Sequence, residues 1–227
     1  MPHTAPAVSF PAAPAPPSRL LLLASGGGSN AERLLAHFAA RPAVARVVGL
    51  LSNNPVAGAL LHATRAGIPT AVFARAAWRD GSVPRLIEAE FRPDLIVLAG
   101  FLWLVPPELV AAYAGRILNS HPSLLPKFGG RGMHGAHVHE AVLAAGERES
   151  GVTIHLVNER YDDGALLFQA RCPVLPGDTP ATLGARVLAL EHRYLPLVVE
   201  AIARGEAPTR FARATVGDTV PPDEIIT

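Results

Sequence analysis

The sequence predicts an α/β fold: an open, mostly parallel sheet with helices on both faces, ending in an antiparallel hairpin and one long helix. Three observations predict it. Short apolar runs alternate with helix-period patterns from Arg19 onward, as when buried strands feed crossover helices. A glycine-rich turn, Ser25 to Asn30, separates the first such run from the first helical pattern. Near the C-terminus two runs flank the turn Tyr161-Asp162-Asp163-Gly164, and a long helix-period stretch follows.

Residues 1–18 carry six prolines among alanines, a composition that buries no core, and are expected to form a flexible Pro/Ala-rich leader. A single domain is expected over 19–205, with 206–227 as a peripheral tail. Leu20 to Ala24 reads as a strand, Asn30 to Ala40 as a helix, Val44 to Leu51 as a strand, Val56 to Ala66 as a helix and Thr70 to Phe73 as a strand. A helix near Val83 to Phe91 precedes Asp94 to Leu98, whose continuous apolar content suits a strand covered on both faces. Ile117 to Asn119 is the next strand. Ser120 to Met133, with three glycines and two prolines, reads as a long functional loop. A helix from His134 to Ala145 follows, then strands at Val152 to Val157 and Ala165 to Arg171. Pro180 to Ala203 reads as one helix because Leu183, Val187, Leu190, Tyr194, Leu197 and Ile202 fall near helical spacing. The whole is a Rossmann-like arrangement.

Composition narrows the function. The chain has 227 residues, is 49% hydrophobic and carries a net charge of +1, which describes a globular domain without a basic stripe. A nucleic-acid partner is therefore not expected, because phosphate backbones are held by clustered Lys and Arg. The longest apolar run, Leu95 to Val105, is 11 residues and ends at two prolines, against roughly 20 for a bilayer span, so no membrane partner is expected either. Cys172 is the single cysteine and nothing resembles a secretory signal, which places the chain in a reducing cytoplasm as a monomer or homodimer. A small-molecule substrate is the expectation.

Two segments could carry chemistry. In Ser25-Gly26-Gly27-Gly28-Ser29-Asn30, glycines let backbone N–H groups approach an anion at a helix N-terminus. The following strand ends in Leu51-Ser52-Asn53-Asn54 without a ribose-binding carboxylate, so a plain phosphate fits better than a dinucleotide. The alternative is a tight turn with Ser29 or Asn30 as helix cap. In Asn119-Ser120-His121-Pro122, Asn119 and His121 project from one face of an extended segment, where a carboxamide and an imidazole could polarise one carbonyl. A buried structural Asn beside a packed His is the competing reading. His134, His137, His139 and His155 have spacings that do not suit a metal, and none is expected. His137 or His155 lining the cleft is weighed against plain packing or surface roles. Lys127, the single lysine among 20 basic side chains, suggests a local electrostatic role.

The nonapeptide Asn119-Ser120-His121-Pro122-Ser123-Leu124-Leu125-Pro126-Lys127 resembles the signature of folate-dependent formyltransferases. Ser25 to Asn30, Leu98-Ala99-Gly100-Phe101 and the Asp162-Asp163-Gly164 turn fall in that family's order, and the resemblance covers residues 19–205. It implies transfer of a formyl group from 10-formyltetrahydrofolate to the amine of glycinamide ribonucleotide, a step of purine synthesis. Asn119 and His121 would then stabilise the oxyanion, and Asp162, or its neighbour Asp163, would favour the charged imidazolium. Gly28, Ser29 and Asn30 would hold the phosphate, and Glu191, otherwise a helix-surface charge, would accept from ribose hydroxyls. Leu102, Trp103, Leu104 and Val105 would line the folate pocket with Asn119, Asn158, Arg160 and Tyr161. Trp103 stands where many members carry arginine, and Arg79 lies near a family folate-binding arginine. Leu188 replaces a polar residue that some members use near the ribose, and the loop through Gly129 to Met133 is about four residues longer than in short members. The rivals are a formyltetrahydrofolate hydrolase, a formyltransferase for another amine such as initiator methionyl-tRNA or an amino sugar, and a non-catalytic nucleotide-binding module. No appended RNA-binding or regulatory domain is expected from the chain length.

Overall fold

The structure is a computed structural model that describes residues 17–206. The expected leader and tail lie almost wholly outside the described residues. Five strands run parallel: β1 (Ser18–Ala24), β2 (Ala45–Ser52), β3 (Thr70–Val72), β4 (Leu95–Leu98) and β5 (Ile117–His121). Two antiparallel strands, β6 (Glu149–Leu156) and β7 (Leu166–Pro173), complete one sheet in the order β3-β2-β1-β4-β5-β6-β7. The helices are α1 (Ser29–Ala39), α2 (Gly58–Arg65), α3 (Arg75–Arg79), α4 (Ser82–Leu86), α5 (Pro107–Ala112), α6 (Ala136–Ala144) and α7 (Pro180–Ala203). The expected fold class is observed, and α7 keeps the expected bounds.

Local chemistry accounts for the differences. The helix expected over 83–91 is α4 followed by a π-helical turn, Ile87–Phe91, that ends at Arg92 with φ 41°. The helices α3 and α5, of five and six residues, are too short to show a period and were not anticipated. The helix after the long loop begins at Ala136, two residues later than expected, with Gly135 before it.

β1 is buried on both faces, with Leu20, Leu21, Leu22 and Leu23 all 0% exposed. Leu20 and Leu22 face a core built with Leu34, Phe38, Tyr194 and Val199 from α1 and α7. Leu21 and Leu23 face a second core containing Trp78, Ile87, Phe101 and Leu109. Strand alternation thus assigns neighbouring leucines to opposite layers, and each such burial stabilises the fold by about 1.5–3 kcal/mol. On α7 the Thr179 hydroxyl accepts from Thr182 N at 3.2 Å and Thr182 Oγ1 accepts from Thr179 N at 2.9 Å, a reciprocal cap that fixes where the helix starts.

The strand order reverses between β1 and β4, so a crevice opens beyond their carboxyl ends. Ser25 N donates to Gly100 O at 3.1 Å, and Leu102 N donates to Ser25 Oγ at 3.0 Å. These bonds tie the glycine loop to the segment after β4 and define one wall of the crevice.

Candidate active site

A cavity of about 1070 Å³ occupies this crevice. The period-2 geometry of β5 places Asn119 and His121 on one face of the strand and Ser120 on the other, and all three line the cavity at the end of the strand. Antiparallel pairing sets Asn119 directly opposite His155 and His121 opposite Thr153. The loop after His121 is braced from β6 and β7. Thr153 Oγ1 donates to Ser123 O at 2.6 Å and accepts from Leu125 N at 3.0 Å, and Gln169 Nε2 donates to Leu125 O at 2.9 Å.

Asp162 enters from the turn after β6 with φ 52°, a left-handed conformation that aims its carboxylate inward. Its Oδ1 lies 3.4 Å from His121 Nδ1 and accepts from Asn119 Nδ2 at 3.3 Å. Its Oδ2 accepts from Gly130 N at 2.9 Å. Asp163 instead faces outward, pairing with Arg160 at 2.6 Å. Of the two aspartates, Asp162 lines the cavity beside His121 and Asp163 does not. Burial pushes the Asp162 carboxyl up, but the hydrogen bond and charge of His121, with the Gly130 N–H, outweigh it and hold the group well below the usual carboxylate range.

His121 Nε2 lies 2.8 Å from Phe128 O, which can only accept, so that nitrogen carries a proton. Its other nitrogen faces the carboxylate. His155 Nδ1 donates to Leu156 O at 2.8 Å, which leaves the Nε2 lone pair for Asn119 Nδ2 at 3.1 Å. His155 therefore lines the cleft and orients the carboxamide. His137 is an exposed partner of Glu140.

The glycine loop abuts α2. Gly28 has φ 83°, and a Cβ there would lie 2.4 Å from Ala59 Cα. Gly28 caps α1 and no side chain does, so neither Ser29 nor Asn30 serves as the cap, and the first N–H groups of the helix are left for a ligand. Asn30 lines the cavity, with Gly28 and Ser29 at the adjoining start of α1. Glu191 also lines it and is 7% exposed, not a surface charge; it accepts from Ser120 Oγ at 2.6 Å. Burial pushes its carboxyl up, and hydrogen bonds from Ser120 and Asn30 offset only part of that.

At the opposite end, Leu102, Trp103, Leu104, Val105, Arg160 and Tyr161 line the cavity. Trp78 Nε1 donates to Leu104 O at 2.8 Å and Leu104 N donates to the Tyr161 hydroxyl at 3.1 Å, joining this segment to the turn that carries Asp162. The Arg75 guanidinium lies 4.5 Å over the Trp103 ring. Asn158 stands back from the cavity wall because its carboxamide is engaged within the turn, accepting from Arg160 N at 2.9 Å. Lys127 makes a local electrostatic contact from the signature loop, pairing with Glu147 at 2.7 Å outside the cavity.

The sequence matches the model of the family described as "Formyl transferase" over residues 18–199. The chain belongs to the formyl transferase family. Among relatives, this formyl transferase is 43% identical over 189 residues to the chloroplastic phosphoribosylglycinamide formyltransferase of Arabidopsis thaliana, covering 81% of this chain and 65% of that protein. It thus spans just under two thirds of the plant relative's length. It is 35% identical over 208 residues to phosphoribosylglycinamide formyltransferase of Escherichia coli K12, covering 89% of this chain and 96% of the relative. The crystal structure of the Anaplasma phagocytophilum phosphoribosylglycinamide formyltransferase superimposes with a TM-score of 0.77 at 36% identity, over 83% of this chain and 88% of that one.

Four groups of the candidate site are not identified from the sequence. The backbone N–H of Gly130 and carbonyl of Phe128 carry no residue-type signal. Arg75 sits on the short α3. His139, buried on the cavity wall, is weighed from the sequence only as a metal ligand, and its place at helical spacing beside the buried Val138 and Val142 is the available clue.

Proposed function

We propose that this formyl transferase moves the formyl group of 10-formyltetrahydrofolate to the amine of 5'-phosphoribosylglycinamide. The observation that carries the reading is the convergence of Asn119 and His121 on the Asp162 Oδ1 in the wall of the cleft. The acceptor amine attacks the formyl carbon, a C–N bond forms, and the carbonyl electron pair moves onto oxygen. The Asn119 amide and the His121 imidazolium donate to that oxyanion, and one such donor is worth on the order of 100- to 1000-fold in rate. Collapse breaks the bond to the folate nitrogen, which takes up a proton as the acceptor nitrogen loses one. Asp162 supports the charged ring through this exchange. In the resting arrangement Phe128 O and Asp162 occupy both ring nitrogens of His121, and Asp162 and His155 take both hydrogens of the Asn119 amide, so the oxyanion engages these donors by displacing the Phe128 carbonyl from His121 and one acceptor from Asn119.

The uncapped start of α1 at Gly28, Ser29 and Asn30 suits the phosphate. Glu191 would accept from ribose hydroxyls, and the apolar wall from Leu102 to Val105, with Asn119, Arg160 and Tyr161, would hold the folate. The buried single thiol Cys172, pushed up to about 11 by burial, is inert and suits a reducing cytoplasm. Among the described residues no helix is long and apolar enough to cross a membrane.

The test follows both products with purified protein, folate donor and acceptor ribonucleotide. Stoichiometric formylation of the acceptor supports the reading. Formate released at the same rate without acceptor would assign the chain to the hydrolases of this fold, and transfer only to other amines would reassign the acceptor.

A further inference from the structure

The cavity that Glu191 lines is also lined by residues with polar atoms that no contact above uses. His139 on α6 is 7% exposed, and its Nδ1 is buried with no hydrogen-bond partner. Asn30, 9% exposed, presents an Oδ1 in the same condition. Unpartnered buried polar atoms are rare in native folds, and two on residues that line the same cavity point to a bound molecule that supplies the missing partners. Gly184 adds an independent observation. It lies within α7, where glycine weakens a helix, yet a Cβ there would fall 3.0 Å from His139 Cδ2 and 3.2 Å from Nε2. The glycine makes room for the ring. Leu188, one turn before Glu191, lines the same cavity and offers no polar side-chain atom. Burial, and then the charge of His121, lower the proton affinity of His139, so it presents one N–H and one lone pair. That pairing complements a sugar hydroxyl whose own O–H is accepted by Glu191.

We infer that His139 binds the ribose hydroxyls of the acceptor beside Glu191, and so helps to set acceptor specificity. The inference rests on the acceptor proposed above. It is tested in the full chain with His139→Leu, His139→Gln and wild type, each first shown to be folded by thermal melting. In His139→Leu, KM for the ribonucleotide should rise about tenfold, the loss of one good hydrogen bond, while KM for 10-formyltetrahydrofolate stays within about twofold. His139→Gln, which keeps a donor and an acceptor, should recover most of the affinity. If the leucine variant does not fold, Gly184→Ala displaces the ring from α7 and should raise the same KM alone. An active wild type whose ribonucleotide KM is untouched by these changes, or whose two KM values rise equally, overturns the role of His139. A wild type that formylates no phosphoribosylglycinamide overturns the acceptor reading and the inference with it.

Discussion

Replacing Asp162 by Asn keeps the shape of the side chain and removes its charge, which isolates what the carboxylate does for His121. The Oδ1 to Nδ1 separation is 3.4 Å, and the Asp162 side chain is 10% exposed. At an effective dielectric of about 20, a charge pair at this distance is worth about 5 kcal/mol, an upper figure that water entering the cleft reduces. Even a little over half of it corresponds to about 100-fold in rate, so kcat should fall by between about 10² and 10³. The Asn can accept from Gly130 N–H or from His121 but not from both, which costs a further 1–3 kcal/mol of stability, to about the value of one lost buried hydrogen bond. Initial rates at saturating concentrations of both substrates give kcat, and urea melts give the stability. The sign of the pH effect follows from the depressed carboxyl: its contribution is present above the ordinary Asp value and is lost as pH falls through the folded one. The stability gap between wild type and Asp162→Asn should therefore begin to narrow below about pH 4 and keep narrowing as pH falls towards the folded value. A folded variant that keeps kcat within about threefold of wild type would refute the electrostatic role assigned to Asp162.

Three other outcomes follow. Gly28→Ala forces a left-handed φ of 83° on alanine and drives a methyl into Ala59, so denaturant melts should show a loss of about 2–4 kcal/mol together with weaker ribonucleotide binding. Glu191→Gln removes a buried carboxylate whose folded pKa is raised; the wild type should lose stability relative to the variant as pH climbs above about 4.5, and Tm measured from pH 4 to 8 tests this. Lys127→Ala breaks only an exposed pair with Glu147, so both Tm and kcat should stay near wild type, with a stability change under about 0.5 kcal/mol.

Much of the fold is legible because it rests on local pattern. The leucines of β1, the apolar run of β4 and the helical spacing from Leu183 to Ile202 each declare their element without reference to distant residues. The short helices Arg75–Arg79 and Pro107–Ala112 do not, since a single turn of helix shows no period. In the site, Asn119 and His121 share a strand and their common face follows from spacing alone. His155 is placed against Asn119 by the pairing of two strands separated by a long loop and a helix, a register that no local window encodes. Asp162 could be named only through the family turn, and its separation from Asp163 needed the backbone conformation at that residue. Backbone partners such as Gly130 N–H are invisible to any reading of side-chain type.

β5 has a parallel neighbour on one edge and an antiparallel neighbour on the other, and the second border behaves like a ruler laid against the reactive residues. Adding or removing one residue between Val152 and His155 would invert which side chains of β6 meet the cleft, exchanging an imidazole for an aliphatic group at the rung beside Asn119. A change of length is thus tolerable only off the ruler, as in the 128–135 stretch, which can reshape the rim of the cleft without disturbing the register at its floor.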